Sequence, residues 1–515
     1  MRGLLKTIAL IITVNMILLS FLCCGTGTKE TGSVTGAADG GSASSAETPN
    51  KGTVEFDAPD IDEYVEELVS RDTYKGVTFT WCGNEGQAPW HEEVTGDLQN
   101  DALYYRQRQL EETFGVVWNN YRPEAIGDTD NQPVYDHVMQ DVLAGNGAFD
   151  ACYGTTIAIA QPLFMRGAMD DLSAYPYVDL ERKWWTPDIM DIYGIEGSIY
   201  FLNGAIVTSN YEDTFCIAFN KKIAEDYGIT GLYDHVYNNE WTFDKLFEVA
   251  SVIPPNENRT GVYRFGNADG MSAFYAHGMK LAKFDENGTP YVETSLPEEL
   301  HTLAERFSAI YGDESISAIC KGGKLGHYEW VIDKFGYDDF SDMFDDDEFL
   351  FYFLTTGDAA WLRRYDVEFG ILPIPKADPS MDYISHTYMW GASNVFVPKS
   401  AKNEDLSGLM LEALAALGYK YIKPAYYDKI LKTRATYDWE SKDMIDIVFE
   451  SKTYDIIDFL AIGGNINMES DFVRLIRYAM QESTDGIASR YLLQARMVSG
   501  NIESILDSIH ADQER

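Results

Sequence analysis

The stretch that offers the most chemistry in a short space is residues 210–228. Tyr211, Glu212 and Asp213 stand directly before an apolar run, residues 214–219, of strand type. Asn220 offers an N-cap side chain, residues 221–227 follow as a helix, and Gly228 stops it. Polar groups at a strand end, facing a helix start, are where an α/β protein presents side chains to a small ligand. The bland alternative is a surface turn followed by an ordinary strand–helix unit. No G-x-S-x-G, H-E-x-x-H, P-loop or G-x-G-x-x-G pattern occurs in the chain. The acidic run at residues 338–348 lacks the glycine that a calcium loop needs at its turn and reads as a solvated acidic face. No cofactor or metal is implied by any of these patterns, and no catalytic residue is assigned.

Totals narrow the classes further. The 515 residues allow two or three domains and a large core. Against 40 basic residues stand 82 acidic ones, a formal charge of -42. That field repels phosphate backbones and anionic lipid surfaces, so nucleic acid is excluded as a partner and a polyanionic ligand is disfavoured. Tyrosine is abundant, at 33 residues, and supplies flat apolar faces that carry a polar tip.

At the amino terminus, Arg2 and Lys6 precede an apolar stretch, residues 8–22. Its length and layout are those of a secretory signal. It ends in Phe21-Leu22-Cys23-Cys24-Gly25, which resembles a bacterial lipobox. Residues 1–23 then form a lipoprotein signal peptide and Cys24 carries the lipid, with Cys23 the neighbouring alternative. Phe21 departs from the aliphatic residue usual at that place. Residues 24–60, rich in Gly, Ser, Thr and Ala, read as a flexible tether. Cys82, Cys152, Cys216 and Cys320 stand in no C-x-x-C pair and near no histidine at ligand spacing, so they read as buried free thiols. A single disulfide stays open, with no pairing assigned.

The rest of the chain alternates. A leader helix at 61–69 precedes a strand at 76–81, a helix at 97–114, a strand from 116, a helix at 133–143 and a strand at 149–153. This βαβαβ order predicts a mostly parallel sheet with helices on both faces. Beyond residue 228 a second series begins, with a helix capped by Thr242, a strand at 263–265 and a polar loop at 266–270. Residues 349–362 and 367–375 read as a return to the first lobe, and Pro373 and Pro375 end the second of these sharply. Helical periodicity dominates from 404 to the end.

The motifs in order carry a resemblance. Gly76-Val77-Thr78-Phe79-Thr80-Trp81 before a glycine turn, Ala148-Phe149-Asp150-Ala151-Cys152-Tyr153-Gly154, and Phe219-Asn220-Lys221-Lys222 resemble the extracellular solute-binding proteins of bacterial ABC transporters. So do residues 241–246, 355–361 and 369–373, and Val397-Pro398-Lys399. The likeness is greatest to the carbohydrate-binding, maltose-binding-like branch. It implies an α/β, two-lobed periplasmic-binding-protein-like fold of type II, with a hinge and the ligand between the lobes. Lobe one would be 61–210 with 350–386, and lobe two 211–349 with 387–515. It further implies a non-enzymatic, monomeric receptor, lipid-anchored on the outer face of the cell membrane, that hands a carbohydrate to ABC permease subunits.

Carried over by position, the resemblance gives a ligand set. Asn84 and Glu85 come from the first turn, with Trp90 beyond it; Asp213 comes from the crossing. Asn267 and Asp269 come from the second-lobe loop, Asp358 and Trp361 from the return segment, and Trp390 from the last crossing. Tryptophan faces stack on the C–H faces of a sugar, while carboxylates and amides hold its hydroxyls. Trp81, and the pair Trp184 and Trp185, read as packing residues. A secreted glycoside hydrolase, which needs two flanking carboxylates, and a surface adhesion protein are the rival classes.

Overall fold

The computed structural model describes residues 61–84, 90–124, 131–253, 260–263, 268–311, 317–318, 340–387, 391–431, 439–460, 475, 479 and 484–513. Cys24 and the expected signal and tether lie outside these. All described residues belong to the unit Phe56–Arg515.

The described strands, in chain order, are β1 (Thr78–Cys82), β2 (Val117–Tyr121), β3 (Ala151–Thr155), β4 (Phe215–Asn220), β5 (Thr260–Tyr263), β6 (Ala282–Phe284) and β7 (Pro290–Val292). They continue with β8 (Ser317–Ala318), β9 (Phe349–Thr355), β10 (Phe369–Leu372), β11 (Ser385–His386), β12 (Ser393–Phe396) and β13 (Lys452–Thr453). Two larger sheets result. The first runs β12-β3-β1-β2, with β1 parallel to both β2 and β3 and β12 antiparallel to β3. The second runs β10-β4-β9-β5-β8, with β4 antiparallel to both neighbours and β5 parallel to both of its own.

Local signals account for the helices between the first strands. Asp97 caps helix Leu98–Phe114 by accepting from the backbone N–H of Gln99 at 2.9 Å and Asn100 at 3.1 Å. Gly115, at φ 71°, closes it in the left-handed conformation that glycine adopts without a Cβ clash. Asn220 caps helix Lys221–Asp226 through Ile223 N at 2.9 Å, as its position before the helix predicts. Thr242 caps helix Phe243–Ala250 in the same way.

Strand pairing corrects the expected lobe membership. Residues 350–386 do not return to the first sheet: β9 pairs Phe215 with Thr355 and Phe219 with Phe351, and β10 lies on the other side of β4. Conversely β12, from the segment assigned to lobe two, pairs Val395 with Tyr153 in the first sheet. The physical reason is legible in β9. Its seven residues are all buried, so it has no alternation to say which sheet it enters. The carboxyl-terminal helices divide as well. Helix Glu404–Leu431 packs on helix Leu98–Phe114 beside the first sheet, and helix Trp439–Glu450 packs on β10 of the second.

The acidic run is less solvated than its composition predicts. Asp345 accepts from the backbone N–H of Val367 at 2.7 Å, and Asp347 accepts from Asn220 Nδ2 at 2.8 Å and pairs with Lys222.

Candidate functional site

The first group of candidate residues forms an aromatic corner at the end of β1. Gly83 follows β1, and a Cβ there would lie 1.9 Å from the Tyr153 ring, so only glycine lets that ring lie across the turn. The Tyr153 hydroxyl donates to the Asn84 carbonyl. Its ring stacks on Trp81 at 5.7 Å and meets Trp90 edge-on at 5.2 Å. Arg122 covers Trp90 at 5.2 Å from the ring centroid. Trp90 is therefore a packed residue, 5% exposed, rather than an open platform. Asn84 Nδ2 donates to Asn131. Among the described residues, Asn84 Oδ1 and Trp90 Nε1 are buried without a hydrogen-bond partner. A polar atom left dry costs about 1–3 kcal/mol. Glu85 lies outside the described residues.

The second group sits where the chain passes between the two sheets. Ser209–Glu212 is one helical turn ahead of Asp213 and β4. Three other segments of the chain meet around it. Thr214 bridges to Thr387, Thr356 N donates to Thr214 O at 2.9 Å, Ser393 N donates to Ser209 Oγ at 2.9 Å, and Lys452 Nζ donates to Asn210 O at 3.1 Å. Gly391 lies against the Asp213 carboxylate, since a Cβ at that position would be 2.0 Å from Oδ1. This explains the glycine in the Trp390-Gly391 pair, although Trp390 itself lies outside the described residues.

Asp213 is half-buried, directly after the helical turn Ser209–Glu212 and two residues before β4. Burial pushes its carboxyl well above the usual range, with the negative Glu212 and Asp358 adding to the effect and Lys452 opposing it. Burial also brings the Lys452 ammonium down to about 7, with Asp213 opposing the fall. Tyr426 stands near the same carboxylates with its hydroxyl buried and without a hydrogen-bond partner among the described residues, and its ring stacks on Tyr211 at 6.1 Å. Glu212 accepts from Gln99 Nε2 at 2.6 Å. The crossing thus gathers carboxylates as acceptors with an amine and a phenol as donors, while the Tyr211 and Tyr426 rings, like Trp90, are packed inside the fold.

Other candidates fare differently. Asp358 is the N3 member of a capping box: its Oδ2 accepts from Thr355 N at 3.1 Å and from Thr355 Oγ1 at 2.9 Å. Its charge reaches Asp213. Trp361, one turn on in helix Thr356–Leu362, is 49% exposed, and Arg364 stacks on it at 3.9 Å. Asp269 falls in helix Ala268–Ala276, with its side chain outside the description, and Asn267 lies outside it altogether. Trp81 is core, as read. Trp184 and Trp185 are packing residues too, each donating its indole N–H to buried Glu412 at 2.9 Å. Cys82, Cys152 and Cys216 are buried free thiols, and Cys320 is not described.

Sequence reasoning missed Lys452, Tyr426 and Tyr153. Lys452 sits in a two-residue strand inside a tail that reads as helical, and the break at Ser451-Lys452-Thr453-Tyr454 is its only signal.

Comparison with known proteins settles the family. The profile of the bacterial extracellular solute-binding proteins matches residues 136–414, more than half of the chain. The chain belongs to that family. The family is one of binding proteins rather than enzymes, and its extracellular setting agrees with a place on the outer side of the membrane. No helix among the described residues is long and apolar enough to cross a bilayer. Among solved structures, a cyclo/maltodextrin-binding protein complexed with maltotetraose is similar at TM-score 0.52 and 14% identity, over 83% of this chain and 98% of its own. A sugar transporter protein of Rhizobium etli in an open conformation is similar at TM-score 0.53 and 14% identity, over 83% and 99%. These likenesses show the fold, which is the two-lobed type II arrangement that the sequence resemblance implied. No curated protein sequence matches this chain.

Proposed function

We propose that this family member captures a sugar or oligosaccharide between its two lobes and delivers it to the permease of an ABC importer. The observation that carries the reading is the crossing itself. There Asp213, Lys452 and the Tyr426 hydroxyl, which has no hydrogen-bond partner among the described residues, gather acceptors and donors. Those are the groups that the hydroxyls of a polyhydroxylated ring require. The net charge of -42 argues against an anionic ligand. A relative of the same fold, the cyclo/maltodextrin-binding protein, is seen with maltotetraose.

Asn84, Glu85 and Trp90 would line the side of the first sheet, Asn267 and Asp269 the side of the second, and Asp213 and Trp390 the floor. Asp358 and Trp361 would act at the rim. Lobe one would hold β1–β3 and β12, lobe two β4, β5 and β8–β10, and the segments at 209–214 and 387–393 would be hinges. Such hinges absorb dihedral change while each lobe stays rigid. A ligand that touches both lobes only when they close shifts the population towards the closed form. The chain would act as a monomer held to the membrane by a lipid on Cys24 and a tether.

A thermal-shift panel of mono- and oligosaccharides tests the reading. A cognate sugar should raise the midpoint in a concentration-dependent way. No shift with any sugar, alongside a shift with peptides or amino acids, would overturn the carbohydrate assignment and leave the family standing.

A further inference from the structure

Two of the buried thiols face each other. β1 and β3 run parallel, and their register pairs Cys82 with Cys152 directly. Paired residues of neighbouring parallel strands project to the same face. Their Cα atoms are separated by the strand spacing of about 4.8 Å, inside the range of about 4.4–6.8 Å that a disulfide spans. Both residues are fully buried, and the two thiols are within hydrogen-bonding reach of each other. Cys216 has no such neighbour among the described residues: its register partner is Leu354 in the second sheet.

The place of the pair gives it a purpose. The β1–β3 seam is the shortest in its sheet. It holds two register pairs, Trp81 with Ala151 and Cys82 with Cys152, against five between β1 and β2 and four between β3 and β12. Just beyond the seam lies the aromatic corner. Cys82 is followed by Gly83 and Asn84, and Cys152 by Tyr153, whose ring crosses Gly83 and whose hydroxyl holds the Asn84 carbonyl. A bond between these two sulfurs would fix the end of β1 against β3 where the candidate binding turn begins.

We propose that Cys82 and Cys152 are a modification site: a cross-strand dithiol that is oxidised to a disulfide when the chain folds outside the cytoplasm. The co-reactant is an external disulfide, either a small molecule or an exported thiol–disulfide oxidoreductase. One cysteine thiolate attacks it, forming a mixed disulfide and releasing one thiol. The second cysteine thiolate then attacks the protein sulfur of that mixed disulfide and releases the other thiol. The two protein thiols lose two protons and two electrons, and the external disulfide gains them as two thiols. Exchange belongs to the folding chain, because in the folded chain both sulfurs are covered and burial holds Cys152 in its unreactive thiol form. Once formed, the bond would be shielded for the same reason. The inference uses the extracytoplasmic setting of the family and does not depend on the ligand being a sugar.

The test is disulfide mapping of the full chain. The purified protein is refolded from urea in a mixture of oxidised and reduced glutathione, alkylated, and digested without reduction. The expected result is a linked species joining the Cys82 and Cys152 peptides, two hydrogens lighter than their sum, with both peptides lost from the alkylated set. The Cys152→Ser chain should return the Cys82 peptide to that set. If both peptides are recovered alkylated from the unmutated chain, or if either is joined to Cys216 or Cys320, the proposal is overturned. The readout on the unmutated chain stands even if the variant fails to fold. Sugar binding by the same sample is scored separately, so either idea can fail alone.

Discussion

His386 gives the sharpest test of how the crossing is built. It lies in β11, paired with β13, one residue before the Thr387 bridge to Thr214. Its ring is sandwiched between Tyr275, at 4.2 Å and 14°, and Phe215, at 5.8 Å and 23°. It is 4% exposed, and neither ring nitrogen has a hydrogen-bond partner among the described residues. Burial, helped by nearby Lys280, lowers the imidazole to about 3. The unfolded chain binds a proton near the ordinary histidine value of about 6.5. Between pH 3 and 6.5 the unfolded state therefore holds more protons, and stability falls as the pH drops through 6.5. Each pH step below that point adds about 1.4 kcal/mol, so at pH 5 the loss from this residue is about 2 kcal/mol. His386→Phe keeps the stack and removes the titration. Urea unfolding at pH 7.5 and pH 5 measures both. The drop in stability between the two should be about 2 kcal/mol smaller in the variant, and at pH 7.5 the variant should be no less stable than the unmutated chain. Equal drops would refute the buried neutral imidazole. A variant weakened by more than about 2 kcal/mol at pH 7.5 would mean that the ring nitrogens have partners and are not idle.

Three other outcomes follow from the same geometry. Glu412→Ala should destabilise the chain by about 2–5 kcal/mol in urea unfolding. The reason is that its carboxylate accepts from Tyr64 Oη at 2.8 Å, both indoles at 2.9 Å and Asp179 N at 3.1 Å, and their donors would be left buried. Asp213→Ala, and Trp390→Ala from its sequence position, should each weaken sugar binding by about 1–3 kcal/mol, a tenfold to hundredfold loss in calorimetry, with unchanged circular dichroism. Unaltered affinity in both would remove them from the site. Cys24→Ala should leave the chain unprocessed or release it from the membrane fraction, and normal retention at the normal mature mass would refute lipidation there.

What the sequence made legible was local. Asn220 before its helix, Thr242 before helix Phe243–Ala250, and Gly115 and Gly145 after theirs each carry their own backbone requirement, and each sits where the pattern predicts. Pairing across the chain was not local. The β9 sequence Phe-Leu-Phe-Tyr-Phe-Leu-Thr is apolar throughout, suits any central strand, and entered the second sheet rather than the first. In the candidate site, Asp213 could be found because it stands at a strand end. Asp358 has the same residue type in a similar place, but it serves as a helix cap. Lys452 could not be found, because its importance depends on a partner 239 positions earlier, Asp213, which no local period encodes.

The most direct measurement is calorimetric titration of the intact chain with the sugar that raises its thermal midpoint most, followed by chromatography of the sugar recovered afterwards. The account predicts saturable binding of one sugar per chain, strongly reduced in Asp213→Ala, with the sugar recovered unchanged. Absence of heat at every sugar tested, or recovery of a cleaved sugar, would contradict a binding protein that holds a carbohydrate between its lobes.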